Sequence, residues 1–253
     1  MQKTIFAACL GAALAAASLS AAADDSKLSV GFAAYVDLPA YKDYDPAWYP
    51  LPIIQYESDR FYFKGIEGGM YLLKSQNHEI TLGLGWIPAY FKASKSDDHQ
   101  VRHLDDRETS LALTAGYAFK TEHLGRFDLT FAGDMLSKSN GFVAGAAYSY
   151  PFAITPSTML VPSASITYMS EKVADYYFGV SAHEARRTGL ERYVPDAGFV
   201  PALSLTARHQ INERWSVYGT TGVKFLPNEV KDSPMTEDDS TQWTFGVGVA
   251  YAL

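Results

Sequence analysis

TQWTFGVGVAYAL, residues 241–253, sets Trp243, Phe245, Val247, Val249, Tyr251 and Leu253 on one face of an extended chain, and Thr244, Gly246, Gly248, Ala250 and Ala252 on the other. Successive side chains of a strand point to opposite faces, so alternation this long marks a strand with one apolar face. The second face decides the class. A soluble sandwich turns bulky residues inward and charged ones to water, but neither face here carries a charge. An apolar face backed by small residues suits a strand with lipid on one side and a narrow lumen on the other.

The same pattern recurs upstream. In SLALTAGYAFK (110–120), Leu111, Leu113, Ala115, Tyr117 and Phe119 oppose Ser110, Ala112, Thr114, Gly116 and Lys120. Phe127, Leu129 and Phe131 oppose Asp128, Thr130, Ala132 and Asp134, and Ile80, Leu82, Leu84 and Trp86 oppose Thr81, Gly83 and Gly85. In WSVYGTTGVKF (215–225), Trp215, Val217, Val223 and Phe225 oppose Ser216, Tyr218, Thr220, Gly222 and Lys224. Aromatic residues gather toward strand ends, at Trp86 and Tyr90, at Tyr148, Tyr150 and Phe152, and at Trp215, Trp243 and Tyr251, as interfacial girdles require. Strands that cross lipid cannot leave an edge unpaired, so they close into a barrel. The fold class is therefore all-β, an antiparallel outer-membrane β-barrel with outer-membrane lipid as its surroundings. Phe245, Val247, Val249, Tyr251 and Leu253 form the C-terminal assembly signal expected of such a barrel, with Leu253 where Phe is common.

Short polar connectors at Ser75, His123, Ser137, Thr155 and Ile211 divide the chain into strands near 27–36, 60–74, 79–91, 108–120, 126–137, 141–152, 158–170, 197–210, 214–226 and 241–253. That is a ten-stranded barrel. Twelve is the alternative: if Leu51–Glu57 spans the membrane, an even total requires Phe61–Leu72 to be two strands, with a break near Gly65 to Gly69. Counting back from a periplasmic C-terminus puts the longer segments 92–107, 171–196 and 227–240 on the outer side and most short turns in the periplasm. Lys120, Asp128, Asp134 and Lys224 point into the lumen, where in a narrow barrel paired charges act as plugs more often than as pathways.

Residues 1–23 read as a cleaved secretory signal for the Sec pathway: Lys3, an Ala/Leu-rich apolar stretch over Thr4–Ser18, and Ala21-Ala22-Ala23 ahead of Asp24. Residues 24–253 then form one barrel domain in the outer membrane of a Gram-negative bacterium. The only cysteine, Cys9, lies in the signal, so the exported chain relies on no disulfide or thiol chemistry. Removing Lys3 leaves 20 basic residues against 28 acidic, a net charge of −8, which excludes nucleic acid as a natural partner.

No Gly-x-Ser-x-Gly, zinc signature or phosphate loop occurs. His99 and His103 stand in SDDHQVRHLDDRE (96–108), where the surrounding acids offer partners for an Asp/His pair or a divalent cation. The plainer reading is a solvated outer loop.

One stretch is unlike the rest. In YYFGVSAHEARRTGLERYVPDAGF (176–199), Ser181 and Glu184 stand in the relation of a capping box, Ala182, Ala185, Arg186 and Arg187 favour helix, and Gly189 is a suitable stop. The spacing predicts a short helix over about 181–189. A helix this short is marginal in water, so Tyr176, Tyr177, Phe178, Leu190 and Tyr193 are its evident anchors. The stretch resembles a segment of the MipA/OmpV family of Gram-negative outer-membrane proteins, with Tyr176, Tyr177, Gly179, Val180, Ser181, Glu184, Thr188, Gly189, Leu190, Tyr193 and Gly198 on the family pattern. YPLPIIQYESDRFYFKG (49–65) is similar to the family's Pro-rich first segment, and the likeness spans the whole mature chain. Upstream, LPAYKDYDPAWYP (38–50) follows the family only loosely.

What the resemblance implies is a non-enzymatic scaffold, without catalytic residues, metal or cofactor, that links a periplasmic lytic transglycosylase to a murein synthase. Other members are described as porin-like proteins or adhesins. The capping box and the aromatic flanks give Tyr176 to Gly189 a first reading as a brace for the barrel mouth and a second as a partner-binding surface. An outer position for 171–196 leaves periplasmic partners to the short turns, unless the strand count is off by one.

Overall fold

The structure, a computed structural model, describes residues 28–87, 89–238 and 241–253. The signal expected over 1–23 lies outside the described residues. Thirteen strands form one antiparallel sheet: β1 Leu28–Asp37, β2 Ala47–Glu57, β3 Phe61–Lys64, β4 Glu67–Lys74, β5 His78–Ile87, β6 Ser110–Thr121, β7 Gly125–Asp134, β8 Phe142–Ser149, β9 Phe152–Thr155, β10 Thr158–Met169, β11 Gly198–Gln210, β12 Trp215–Phe225 and β13 Thr241–Ala252. Neighbours in sequence pair around the wall, and β13 pairs with β1 to close it.

Twelve of these strands make the closed wall, and β9 lies outside it. β9 prolongs the line of β8 past Pro151. Ser149 faces Ser163 and Phe152 faces Leu160, so the register on β10 is unchanged across the break.

The alternative count of twelve is thus the one found, and the ten-strand count is corrected in the first quarter of the chain. The run 60–74 is two strands because Gly65 turns the chain with φ of 67°, a conformation that costs glycine little. β2, which falls in none of the ten expected strands, pairs with β1 from Ala47 to Tyr56. Adding two strands keeps the parity, so 171–196 stays at the same end as 92–107 and 227–240. Five short turns, at 58–60, 75–77, 122–124, 156–157 and 211–214, occupy the other end. In barrels of this class the long loops are extracellular and the short turns periplasmic.

The alternation sorts as expected. Phe245 and Val247 are 45% and 64% exposed, whereas Thr244 between Trp243 and Phe245 is 5% exposed. The small inner face of β13 has a specific cause. A Cβ at Gly246 would overlap the Tyr35 ring and one at Gly248 the Tyr218 ring, and the hydroxyls of these two tyrosines lie 3.4 Å apart. Two rings fill the lumen here, so the facing strand has room only for hydrogen.

Gly248→Leu is therefore expected to destabilise the folded barrel by about 1–3 kcal/mol through overpacking. The lipid-facing Val247→Leu should be near neutral. The heat-modifiable gel shift of the two variants in detergent, followed against temperature, checks the contrast.

Candidate functional site

The long-loop end of the barrel is covered by a lid built from four loops. Its helices are α1, Glu171–Phe178, and α2, Ala182–Thr188, with one further turn, α3, Asn228–Lys231. α2 forms as its sequence predicts. Ser181 Oγ accepts from the Glu184 N–H at 3.2 Å, Glu184 Oε2 accepts from the Ser181 N–H at 3.0 Å, and Gly189 ends the helix with φ of 77°.

Short backbone bridges stitch the loops together. Lys42 N–H donates to Met235 O at 3.1 Å, Asp97 N–H to Asp43 O at 2.8 Å, and Phe91 and Arg107 exchange bonds of 2.9 and 2.8 Å. Val180 and Tyr193 do the same at 2.9 and 3.0 Å. Apolar side chains fill the space between, with Tyr41 at the centre. Its ring centroid lies 4.7 Å from that of Phe91, 5.4 Å from Tyr44 and 5.7 Å from Phe178, and its hydroxyl donates to Tyr177 O at 3.4 Å. Burial raises the Tyr41 hydroxyl well above its ordinary pKa, so it stays a neutral donor.

Glu184 does more than cap its helix. Its Oε1 accepts from Arg107 Nη2 at 2.7 Å and from the Asp105 N–H at 3.1 Å, and Arg107 also donates to Gly179 O at 3.3 Å and Asp105 O at 2.9 Å. Both side chains are almost fully enclosed, at 9% exposure for Arg107 and 3% for Glu184. Burial alone would raise the Glu184 pKa, but the Ser181 N–H and the Arg107 guanidinium outweigh it and hold the carboxyl below its ordinary value.

Each residue of the family loop has a place in this lid. Tyr177 is buried and donates to Glu108 O at 3.0 Å, while Tyr176 accepts from the Glu108 N–H at 3.0 Å. Leu190 packs with Val101, Leu104 and Met235, and Tyr193 donates to Glu229 O at 3.0 Å. Gly179 has no room for a Cβ beside Asp175. The stretch 92–107, expected as a solvated loop, is half interior: Val101 and Leu104 are buried, and Arg187 donates to His103 O at 3.0 Å and Asp105 Oδ1 at 2.8 Å. Two of its acids serve backbone, Asp98 Oδ1 accepting from Gln100 and Val101 N–H at 2.8 Å each and Asp106 Oδ1 from Ala93 N–H at 2.9 Å. Among the described residues no three His, Cys, Asp or Glu side chains converge on a metal-sized point.

Sequence reasoning missed α1, Tyr41 and Arg107. α1 follows its N-cap Ser170, whose side chain makes no cap bond, so no capping box announces it. Arg107 sits in a charged run that hides its burial, although Phe91, Val101 and Leu104 around it are apolar beyond what a solvated loop needs.

Beneath the lid the lumen holds two cavities, of about 150 and 290 Å³, which meet at Val143, Ser165 and Thr167. Lumenal charges are paired across the larger one: Lys120 and Arg126 reach Glu79 at 2.7 and 3.2 Å, and Arg126 reaches Asp128 at 2.8 Å. Asp134 instead binds the 134–141 turn, accepting from the N–H groups of Ser139 at 2.6 Å and Asn140 at 2.9 Å. Lys224 lines the smaller cavity.

A barrel with a loop-covered mouth and a paired lumen invites comparison with known proteins. Residues 30–253 match the family described as MltA-interacting protein MipA. The chain belongs to the MipA family. The MltA-interacting protein of Escherichia coli K12 is 40% identical over 238 residues, which cover 94% of this chain and 95% of the relative. The putative outer membrane protein YiaT of the same organism is 34% identical over 240 residues, 94% and 96% of the two chains. Among solved structures, the NanC porin superposes with a TM-score of 0.52 at 6% identity, over 88% of this chain and all of that one, a likeness of fold alone. This MipA-family chain is an outer-membrane protein, as its relatives are named and as its lipid-facing wall requires.

In this MipA-family lid, Glu184→Gln leaves the Arg107 charge enclosed without its counter-ion. We expect it to weaken the lid by about 3–5 kcal/mol, seen as faster amide exchange in 92–107 and 171–196 with strand amides unchanged. A carboxyl whose pKa is depressed by folding stabilises above its unfolded value and loses that contribution as pH falls through the folded one. The wild-type lid should accordingly loosen below the ordinary glutamate value of 4.5, and the Gln variant should lack that acid step.

Proposed function

We propose that the protein is a non-enzymatic scaffold of the outer membrane, which holds a murein-cleaving lytic transglycosylase, and with it a murein synthase, at the periplasmic rim of the barrel. The observation that carries this is the 40% identity, across 94% of the chain, to a protein named for its interaction with MltA. The division of the molecule supports it. The family loop spends Tyr177, Glu184, Leu190 and Tyr193 on holding the lid together, which favours a brace over a partner surface. The opposite rim offers apolar side chains to the periplasm, with Leu124 and Ile211 each 57% exposed in their turns. An open-pore role has less support, because the aromatic lid and the Glu79–Arg126–Asp128 network stand in the path of a solute.

Purified barrel in detergent should retain a purified periplasmic murein transglycosylase, and a Leu124→Glu, Ile211→Glu double variant should retain at least tenfold less while keeping its heat-modifiable fold. Absence of binding by the parent, or undiminished binding by the variant, would sink the rim assignment. Sidedness has its own check. On intact cells a membrane-impermeant thiol reagent should label His183→Cys and leave His123→Cys unlabelled until the outer membrane is opened.

A further inference from the structure

The smaller of the two lumenal cavities, about 150 Å³ in volume, lies between the lid and the wall. α1 gives it Val173, Tyr177 and Phe178, the loop between β1 and β2 gives Tyr41 and Tyr44, and Ile87 stands on β5. Its boundary is therefore apolar and largely aromatic. Packed interiors leave few voids larger than a water molecule. Lower in the barrel, Gly246 and Gly248 meet tyrosine rings at contact distance. Under the lid the chain instead keeps space.

Two polar side chains stand together at this space. Lys224 on β12 and Gln242 on β13 are partners in the strand register, and both line the cavity. Directly opposed residues of antiparallel strands have Cβ atoms about 5 Å apart, so one small group can touch both side chains. Among the described residues, neither side chain makes a hydrogen bond or an ion pair. The other lumenal cations are bound: Lys64 pairs with Glu57 at 3.8 Å, and Lys120 and Arg126 pair with Glu79 at 2.7 and 3.2 Å. Asp37 lines the same cavity, and its Oδ1 accepts from Thr244 Oγ1 at 2.5 Å.

An ammonium carries three donors and a primary amide two, and a charge drawn away from water is costly until it is paired. Lys224 and Gln242 are thus arranged for an anion that brings its own acceptors. The cavity sets what that anion carries. An apolar cavity of about 150 Å³ holds a molecule the size of benzene, and aromatic rings favour aromatic neighbours in offset or edge contact. A sugar acid or a phosphate ester would bury hydroxyls or oxygens against Ile87 and Val173 without partners.

We propose that the cavity under the lid is a binding site for a small aromatic monocarboxylate of one ring. The ring lies among Ile87, Val173, Tyr177 and Phe178, and the carboxylate accepts from Lys224 Nζ and Gln242 Nε2. The site does not depend on the scaffold role.

Purified barrel in detergent is titrated with para-fluorobenzoate and followed by fluorine NMR, with fluorobenzene as the uncharged probe and empty micelles as the blank. The parent should bind para-fluorobenzoate saturably. Lys224→Met, which removes the charge and keeps most of the length, should bind it about tenfold more weakly and bind fluorobenzene as the parent does. Ala202→Phe fills the cavity beside Lys224, its register partner, and should lose both probes. Uptake by the parent no greater than by empty micelles overturns the site, and so does equal affinity of the parent and Lys224→Met for para-fluorobenzoate. Lys224→Gln takes the place of Lys224→Met, under the same criterion, if the latter fails the heat-modifiability check.

Discussion

Hydrocarbon offers a backbone no hydrogen-bond partner, and the barrel wall follows from meeting that demand within the chain. Twelve strands close on themselves, and the alternation of each strand is the surface record of that closure, apolar to lipid and small or polar to the lumen. The lumen is narrowed by the chain's own side chains. Tyr35 and Tyr218 occupy the space left by Gly246 and Gly248, and the charged side chains around Glu79 are neutralised in pairs. Above the β3–β4 turn, where β2 runs on past β3, Pro50 and Pro52 carry no N–H that would need a partner.

The lid answers a different requirement. A single loop has little core of its own, so four of them pool their apolar side chains around Tyr41, Phe91 and Met235. A single buried carboxylate, Glu184, then fixes the arrangement by serving a helix end, a loop backbone and a guanidinium at once. A buried pair of this kind adds little net stability but penalises any rearrangement that separates its members. The lid is therefore ordered without a disulfide, in a chain whose only cysteine is Cys9.

Much of this was legible in the sequence, for reasons that differ from element to element. Long strands with strict alternation, such as β6, β12 and β13, show their class and their faces directly. The α2 cap was legible because a capping box is local chemistry, complete within four residues. The β3–β4 hairpin was not, because a four-residue strand is far below the ~9–11 residues that spanning strands use, and the pattern merges it with its partner. The lid's interior was the least legible part. Arg107 lies far along the chain from Glu184, and only the fold brings the two charges together, so a charged run that looks solvated is in fact half enclosed.

The seam between β1 and β13 has a consequence for how the protein comes to exist. Ser29 faces Ala252 across it, so the first described strand finds its second neighbour only in the last. Contacts this distant in sequence are slow to form, because the entropy of closing so long a loop opposes them until the intervening strands are in place. A ring of hydrogen bonds has no stable half-built form in lipid. Insertion is therefore expected to be all-or-none, committed when β13 reaches β1, and a chain arrested before residue 241 would keep two raw edges.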